Sequence, residues 1–244
     1  MRAAVRNDTA DAVLGIAGSA PTLETTEAAL GVLCERTSPD LRFIFARAPR
    51  TPGNATGLVL ASSYDPVWLG RYLEYRLHLV DPTVRHLARA TEPFRWREAL
   101  EALDGSVRRR AEAMMHDARR HGLADGWTFP IGSRNGLVGV VSFGGEGSYD
   151  WDDARVASIW GICSTLAMRT LTTLDGEEAI PNVPKREREV LMLLAEGLTS
   201  RGISNELKIT ANTVDWHIGQ MIERFGARNR QHLMVLTMRR GLIA

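Results

Sequence analysis

Hydrophobic and polar positions divide the chain into a mixed front and a purely helical tail. Alternating or short continuous apolar runs predict strands at about 41–46, 57–61, 126–131 and 137–143, and Arg134-Asn135-Gly136 reads as the hairpin turn joining the last two. Apolar residues at helical spacing predict helices at about 22–36, 65–77, 82–90, 95–102, 105–121 and 151–173. In the last of these, Val156, Ile159, Trp160, Cys163, Leu166 and Leu171 share one side. Helices before and after an antiparallel sheet predict an α+β fold, an α-β-α sandwich in which each sheet face gains an apolar cover.

From Lys185 the pattern becomes helical throughout. A charged first turn precedes Val190, Leu191, Leu193 and Leu194, and Gly197 stands where a helix stops. A short helix follows from Thr199 or Ser200, with Ile203 and Leu207 four apart. Thr210 then supplies an N-cap oxygen for a helix burying Val214, Ile218, Met221, Ile222 and Phe225. A final helix, about 229–241, is expected to return Leu233, Val235 and Leu236 to the bundle. Four helices of this order fit a helix-turn-helix domain, or equally a plain helical bundle. Between the two parts, the segment DGEEAIPNVP has an acidic cluster, a glycine and two prolines but no periodicity. The expected layout is therefore a first domain over 1–174, a linker over 175–183 and a second domain over 184–244.

Charge sharpens this division. The net charge of the 244 residues is +1, yet Lys and Arg balance Asp and Glu at 20 against 20 in the first domain and exceed them by 10 to 6 in the second. A basic second domain suits a partner that carries phosphates. The longest apolar runs fall short of the ~20 residues a spanning helix needs, and no basic segment followed by an apolar stretch opens the chain, which predicts a cytoplasmic protein with no membrane partner. Cys34 and Cys163 stand far apart in apolar surroundings and read as small buried hydrophobes rather than metal ligands or a disulfide.

The tail resembles the DNA-binding domain of the LuxR family. The residues that carry the resemblance are Arg186, Glu187, Glu189, Val190 and Leu191, then Gly197, Thr199, Ile203 and Leu207, then Thr213-Val214, His217, Phe225-Gly226 and Arg230. It departs from the family at Gly202 and Ser204, where Glu and Ala are frequent, and at Asp215, where a basic residue is frequent. The resemblance implies a double-stranded DNA partner met by Arg201, Lys208, Asn212, Thr213, Asp215, Trp216, Gln220, Arg224 and Arg230. An acidic side chain facing DNA lowers phosphate affinity unless it accepts from a cytosine amino group, so Asp215 implies an altered operator.

Several sensors are joined to such tails. A phosphorylated receiver needs clustered carboxylates for magnesium and a lysine for the phosphoryl group, but no lysine precedes Lys185 and no acidic pair follows a first strand. An enzyme reading would lean on His116 and His121, whose spacing of five does not bring both onto one helical face. What the first domain does offer is Tyr64, Trp68, Tyr72 and Tyr75 at spacings of four, four and three, followed by Asp81-Pro82, Trp96 and Ser142. Each has a plain structural explanation: aromatic stripes usually belong to cores, Asp-Pro is a good N-cap and first-turn pair, and a strand serine can face either side.

Their order, however, resembles the acyl-homoserine-lactone-binding domain of LuxR-type quorum-sensing receptors, as do Gly122-Leu123, Gly126, Pro130 and Gly139. That resemblance implies a homodimeric regulator with an N-acyl-homoserine lactone as its signal ligand and no cofactor. It assigns the lactone carbonyl to the Trp68 indole N–H, the ligand amide N–H to Asp81 and the acyl carbonyl to Tyr64 and Ser142. Tyr72 and Trp96 would wall the ligand, and Thr83 would satisfy Asp81. A receptor for a different small molecule would preserve the same pocket polarity.

Overall fold

A computed structural model of the chain describes residues 2–48, 59–133, 136–174, 183–239 and 242–243. Its contacts divide it into two compact units, Met1–Asp175 and Gly176–Ala244. The predicted linker lies outside the described residues except for Val183.

The first unit is built on a five-stranded antiparallel sheet in the order β2-β1-β5-β4-β3. Its strands are β1 (Arg42–Arg47), β2 (Val59–Ser62), β3 (Phe94–Arg95), β4 (Asp125–Ser133) and β5 (Gly136–Gly145). Successive side chains of a strand point to opposite faces, so each strand serves two environments. One face carries Phe43, Phe45, Phe129, Ile131, Val141 and Phe143 into a packed core. That core is covered by α1 (Arg2–Ala17), α2 (Leu23–Thr37) and α7 (Asp153–Leu174). Cys34 and Cys163 are buried there as free thiols. Burial pushes the Cys34 thiol up to about 12 and the Cys163 thiol well above its ordinary value, so both remain protonated. The other face is covered by α3 (Pro66–Glu74), α4 (Pro82–Leu87), α5 (Trp96–Glu101) and α6 (Gly105–Arg119).

Several expected bounds shift. Helix α1 was not expected, because its small residues give no amphipathic stripe; it packs through Val13 and Ala17 against α2 and α7. Strand β3 is only two residues long, too short to show alternation. The helix expected over 65–77 ends at Glu74, since Arg76 takes a left-handed backbone (φ +52°) before a short 3-10 turn at Leu77–Leu79. Tyr75 is consequently 63% exposed and drops out of the aromatic stripe. The hairpin turn at Arg134-Asn135 and the strand start expected at 57–58 lie outside the described residues.

The second unit contains α8 (Lys185–Ala195), α9 (Ser200–Leu207), α10 (Ala211–Phe225) and α11 (Arg230–Arg239). Thr199 caps α9 by accepting from the Gly202 N–H at 3.2 Å, and Thr210 caps α10 by accepting from the Thr213 N–H at 3.1 Å. Between them Lys208 takes a left-handed backbone (φ +55°) as the C-cap of α9, which makes the connection tight. Val190, Leu191, Ile203, Val214, Met221 and Leu233 close the core. Val235, expected to pack inward, is exposed; Leu233 and Thr237, four apart, occupy the buried side of α11 instead. Among the described residues no helix is long and apolar enough to cross a membrane.

Candidate functional site

The face of the sheet opposite the packed core is hollow. A cavity of about 290 Å³ lies between it and α3–α6, at the small end of the ~300–1,000 Å³ typical of small-molecule pockets. Its lining is overwhelmingly apolar, with a few polar groups among the aliphatic ones. All seven residues expected at the ligand site, Tyr64, Trp68, Tyr72, Asp81, Thr83, Trp96 and Ser142, line this one cavity.

Asp81 is the N-cap of α4, and its carboxylate is tied from two directions. Oδ1 accepts from the Thr83 N–H and the Thr83 hydroxyl, both at 2.7 Å, while Oδ2 accepts from the Tyr72 hydroxyl at 2.7 Å. The capping role and the place at the cavity wall therefore coexist in one side chain. Burial, and then the Asp81 charge it faces, raise the Tyr72 phenol well above its ordinary value, which keeps it a donor. Trp68 stacks at a tilt near Tyr72, with ring centroids 6.2 Å apart, and beside His121 at 5.6 Å. His121 in turn sits 2.6 Å from Asp65, the N-cap of α3. The hydrogen bond with His121 is the largest cause of a lowered Asp65 carboxyl.

Trp96 lies flat on the sheet because two strand positions lack a side chain. A Cβ on Gly144 would stand 2.1 Å from the Trp96 ring, and one on Gly126 would stand 2.7 Å from it. The indole N–H donates to Ser142 at 3.0 Å and to Thr128 at 3.2 Å, and those two hydroxyls are 2.9 Å apart. Ser142 also donates to the Trp127 carbonyl at 3.2 Å. Tyr64 is 9% exposed, and its buried hydroxyl has Ser142 as its hydrogen-bonding neighbour. Burial raises its phenol far above the ordinary range, so it is a neutral donor.

Thr128 and His78 also line the cavity and were not anticipated. Thr128 pairs directly with Ser142, but only because a register shift between Ile131 and Gly132 displaces the pairing by one from what the Ser133–Gly136 end would give. His78 lies in the 3-10 turn, where no periodicity indicates a direction.

In the second unit, Asn212, Asp215 and Trp216 are exposed on α10, with Thr213 and Gln220 half-buried. Trp216 is 59% exposed. Arg201 and Lys208 are exposed on and beside α9. Four of the expected DNA-facing side chains also have internal partners, among them the Thr213 hydroxyl, 2.8 Å from that of Thr210. Arg224 makes a two-pronged pair with buried Glu187, one bond at 3.1 Å, joining α10 to α8. Arg230 donates to the Leu198 carbonyl at 2.7 Å and to the Ser200 hydroxyl at 3.2 Å, and Ser200 donates to Asp215 at 2.5 Å.

Residues 38–168 match the family model described as an autoinducer binding domain, and residues 183–237 match that of bacterial regulatory proteins of the luxR family. The chain belongs to the LuxR family. It is a LuxR-type quorum-sensing transcription regulator with an autoinducer-binding domain and a helix-turn-helix domain. The quorum sensing-dependent transcriptional regulator RpaR of Rhodopseudomonas palustris is 29% identical over 203 residues, covering 82% of this chain and 82% of RpaR. The regulator y4qH of Sinorhizobium fredii is 24% identical over 183 residues, covering 74% of this chain but only 56% of that relative. Among solved structures, Escherichia coli SdiA in complex with octanoyl-rac-glycerol superposes with a TM-score of 0.70 at 19% identity, covering 97% of this chain and 94% of SdiA, a likeness of fold. The α+β architecture is thus that of LuxR-type regulators.

Proposed function

We propose that the cavity binds a neutral N-acyl-homoserine lactone and that the liganded chain acts as a homodimer on promoter DNA. The observation that carries this reading is the convergence of Tyr64, Trp68, Tyr72, Asp81, Trp96 and Ser142 on one overwhelmingly apolar cavity. A neutral amide buried in such a cavity without partners would lose several kcal/mol, so the few polar groups on the wall decide which guest fits. In this assignment Tyr64 donates to the acyl carbonyl, with Ser142 beside it. Trp68 donates to the lactone carbonyl, and Asp81, held by Thr83 and Tyr72, accepts the amide N–H. Tyr72 and Trp96 wall the ring and chain.

A ligand that fills the hollow face of the sheet joins the core. It stabilises the folded state by about 2.7 kcal/mol at a free concentration one hundred times its Kd. Helix α7 and helix α11 are assigned to the dimer contacts. Two copies of α10 then present Asn212, Thr213, Asp215, Trp216 and Gln220 to half-sites roughly 34 Å apart. Arg201 and Lys208 are assigned to phosphates, while Arg224 and Arg230 brace the frame as well as adding charge.

The test is thermal melting of the full chain with lactones of graded acyl length. A rise in melting temperature with at least one lactone is expected; no rise with any of them contradicts the reading. One observation favours a second reading, an acyl glycerol ligand: SdiA, which shares the fold, is described with octanoyl-rac-glycerol. Stabilisation by octanoylglycerol and by no lactone would favour that reading instead.

A further inference from the structure

His78 has no part in the ligand assignment above, yet it is set into the same wall. It lies in the turn Leu77–Leu79, three residues before Asp81, and is 5% exposed. It lines the cavity, and its Nδ1 is fully buried with no hydrogen-bond partner among the described residues. Burial first, and then the nearby Arg76 charge, lower its pKa from the ordinary 6.5, while Asp81 opposes them; the ring is therefore neutral at neutral pH. A neutral imidazole offers one N–H and one lone pair, so it can donate to a keto oxygen or accept from a hydroxyl. Most other polar groups on this wall are satisfied within the chain: Asp81 by Thr83 and Tyr72, Trp96 by Thr128 and Ser142. Buried polar atoms without partners are rare in folded proteins and point to a missing water, ion or ligand.

We propose that His78 is a ligand-contact residue that selects acyl chains carrying a keto or hydroxyl oxygen over plain alkanoyl chains. This inference rests on the lactone reading. There the three polar groups of the ligand head are already assigned, the lactone carbonyl to Trp68, the amide N–H to Asp81 and the acyl carbonyl to Tyr64. A plain alkanoyl chain offers the His78 ring no partner, whereas an oxygen on the chain does. A well-placed neutral hydrogen bond in an apolar cavity corresponds to about tenfold in affinity.

Isothermal titration of the full chain with β-keto-, β-hydroxy- and unsubstituted octanoyl-homoserine lactone reads this directly. Wild type is expected to bind at least one oxygenated lactone about tenfold more tightly than the unsubstituted one. His78→Leu is expected to erase or invert that order, and His78→Gln, which keeps a donor and an acceptor, to retain it. Equal or tighter binding of the unsubstituted lactone by wild type overturns the proposal, as does an unchanged order in His78→Leu. If the leucine variant does not fold, the wild-type order decides alone. Binding of all three lactones without discrimination removes only the His78 assignment, whereas binding of none, with no melting rise for any acyl length, removes the lactone reading and His78 with it.

Discussion

The two faces of the sheet are made by the same strands and have opposite character. In β1, Phe43 and Phe45 enter the packed core while Ile44 and Ala46 line the cavity; in β5, Val141 and Phe143 do the first and Val140 and Ser142 the second. On the packed face the cover is helix against phenylalanine, and a buried polar contact, Thr26 with Thr170 at 2.7 Å, is closed upon itself. On the hollow face the cover consists of rings with polar tips, and one of its buried polar atoms, Nδ1 of His78, has no partner among the described residues. Close packing is what gives a domain one structure. The incomplete face shows where such a domain can be completed from outside, which is how a sheet layer becomes a receptor.

This contrast is open to direct attack. The largest effect is expected from Phe129→Ala on the packed face, which should lower unfolding free energy by about 3–5 kcal/mol in a urea titration whether or not ligand is present. Gly144→Ala probes the other face, because the new methyl drives into the Trp96 ring. It should cost about 1–3 kcal/mol of stability and, by tilting Trp96 into the cavity, remove the ligand-induced rise in melting temperature. Asp81→Asn keeps the size of the cap but replaces an acceptor-only group. Calorimetry should show ligand affinity down by about tenfold, with the ligand-free melting temperature changed far less than by Phe129→Ala.

A smaller effect concerns the rim of the sheet. Asp40 accepts from the Tyr149 hydroxyl at 2.5 Å, from the Gly147 N–H at 3.1 Å and from the Ser38 hydroxyl. Burial alone would raise its carboxyl, but these bonds outweigh it and lower the pKa from 3.8 to about 2. The folded pKa lies below the unfolded one, so the stabilisation is present above pH ~4 and is lost as pH falls toward ~2. After allowance for solvent screening it amounts to about 1 kcal/mol, and Asp40→Asn should flatten the acid limb of the stability profile by that much. The smallest change in stability is expected for Trp216→Ala, which should leave melting within about 0.5 kcal/mol of wild type while weakening operator binding in a fluorescence anisotropy titration.

Much of this division was legible in the sequence, for particular reasons. The helices of the second unit were readable because Gly197 marks the end of one and Thr199 and Thr210 mark the starts of the next two. The cavity side chains were legible through resemblance to the acyl-homoserine-lactone-binding domain, since the spacing of Trp68 and Tyr72 and the helix start at Asp81-Pro82 fit a plain core as well. What could not be read depends on tertiary structure. The Thr128–Ser142 pair needs the register shift at Ile131, and His78 needs the left-handed Arg76 that turns the chain after α3. Tyr75 was misplaced for the same reason, since helical spacing was extended one turn past the actual end. Arg224 and Arg230 carry charge suited to DNA, but nothing in their spacing announced Glu187 or the Leu198 carbonyl as their partners.

The central claim is that the hollow face is finished by a guest molecule. Native mass spectrometry of the full chain, purified from cells supplied with octanoyl-homoserine lactone and its oxygenated forms, tests it most directly. One lactone retained per folded chain is the predicted result. A folded chain that carries no small molecule at all would contradict it.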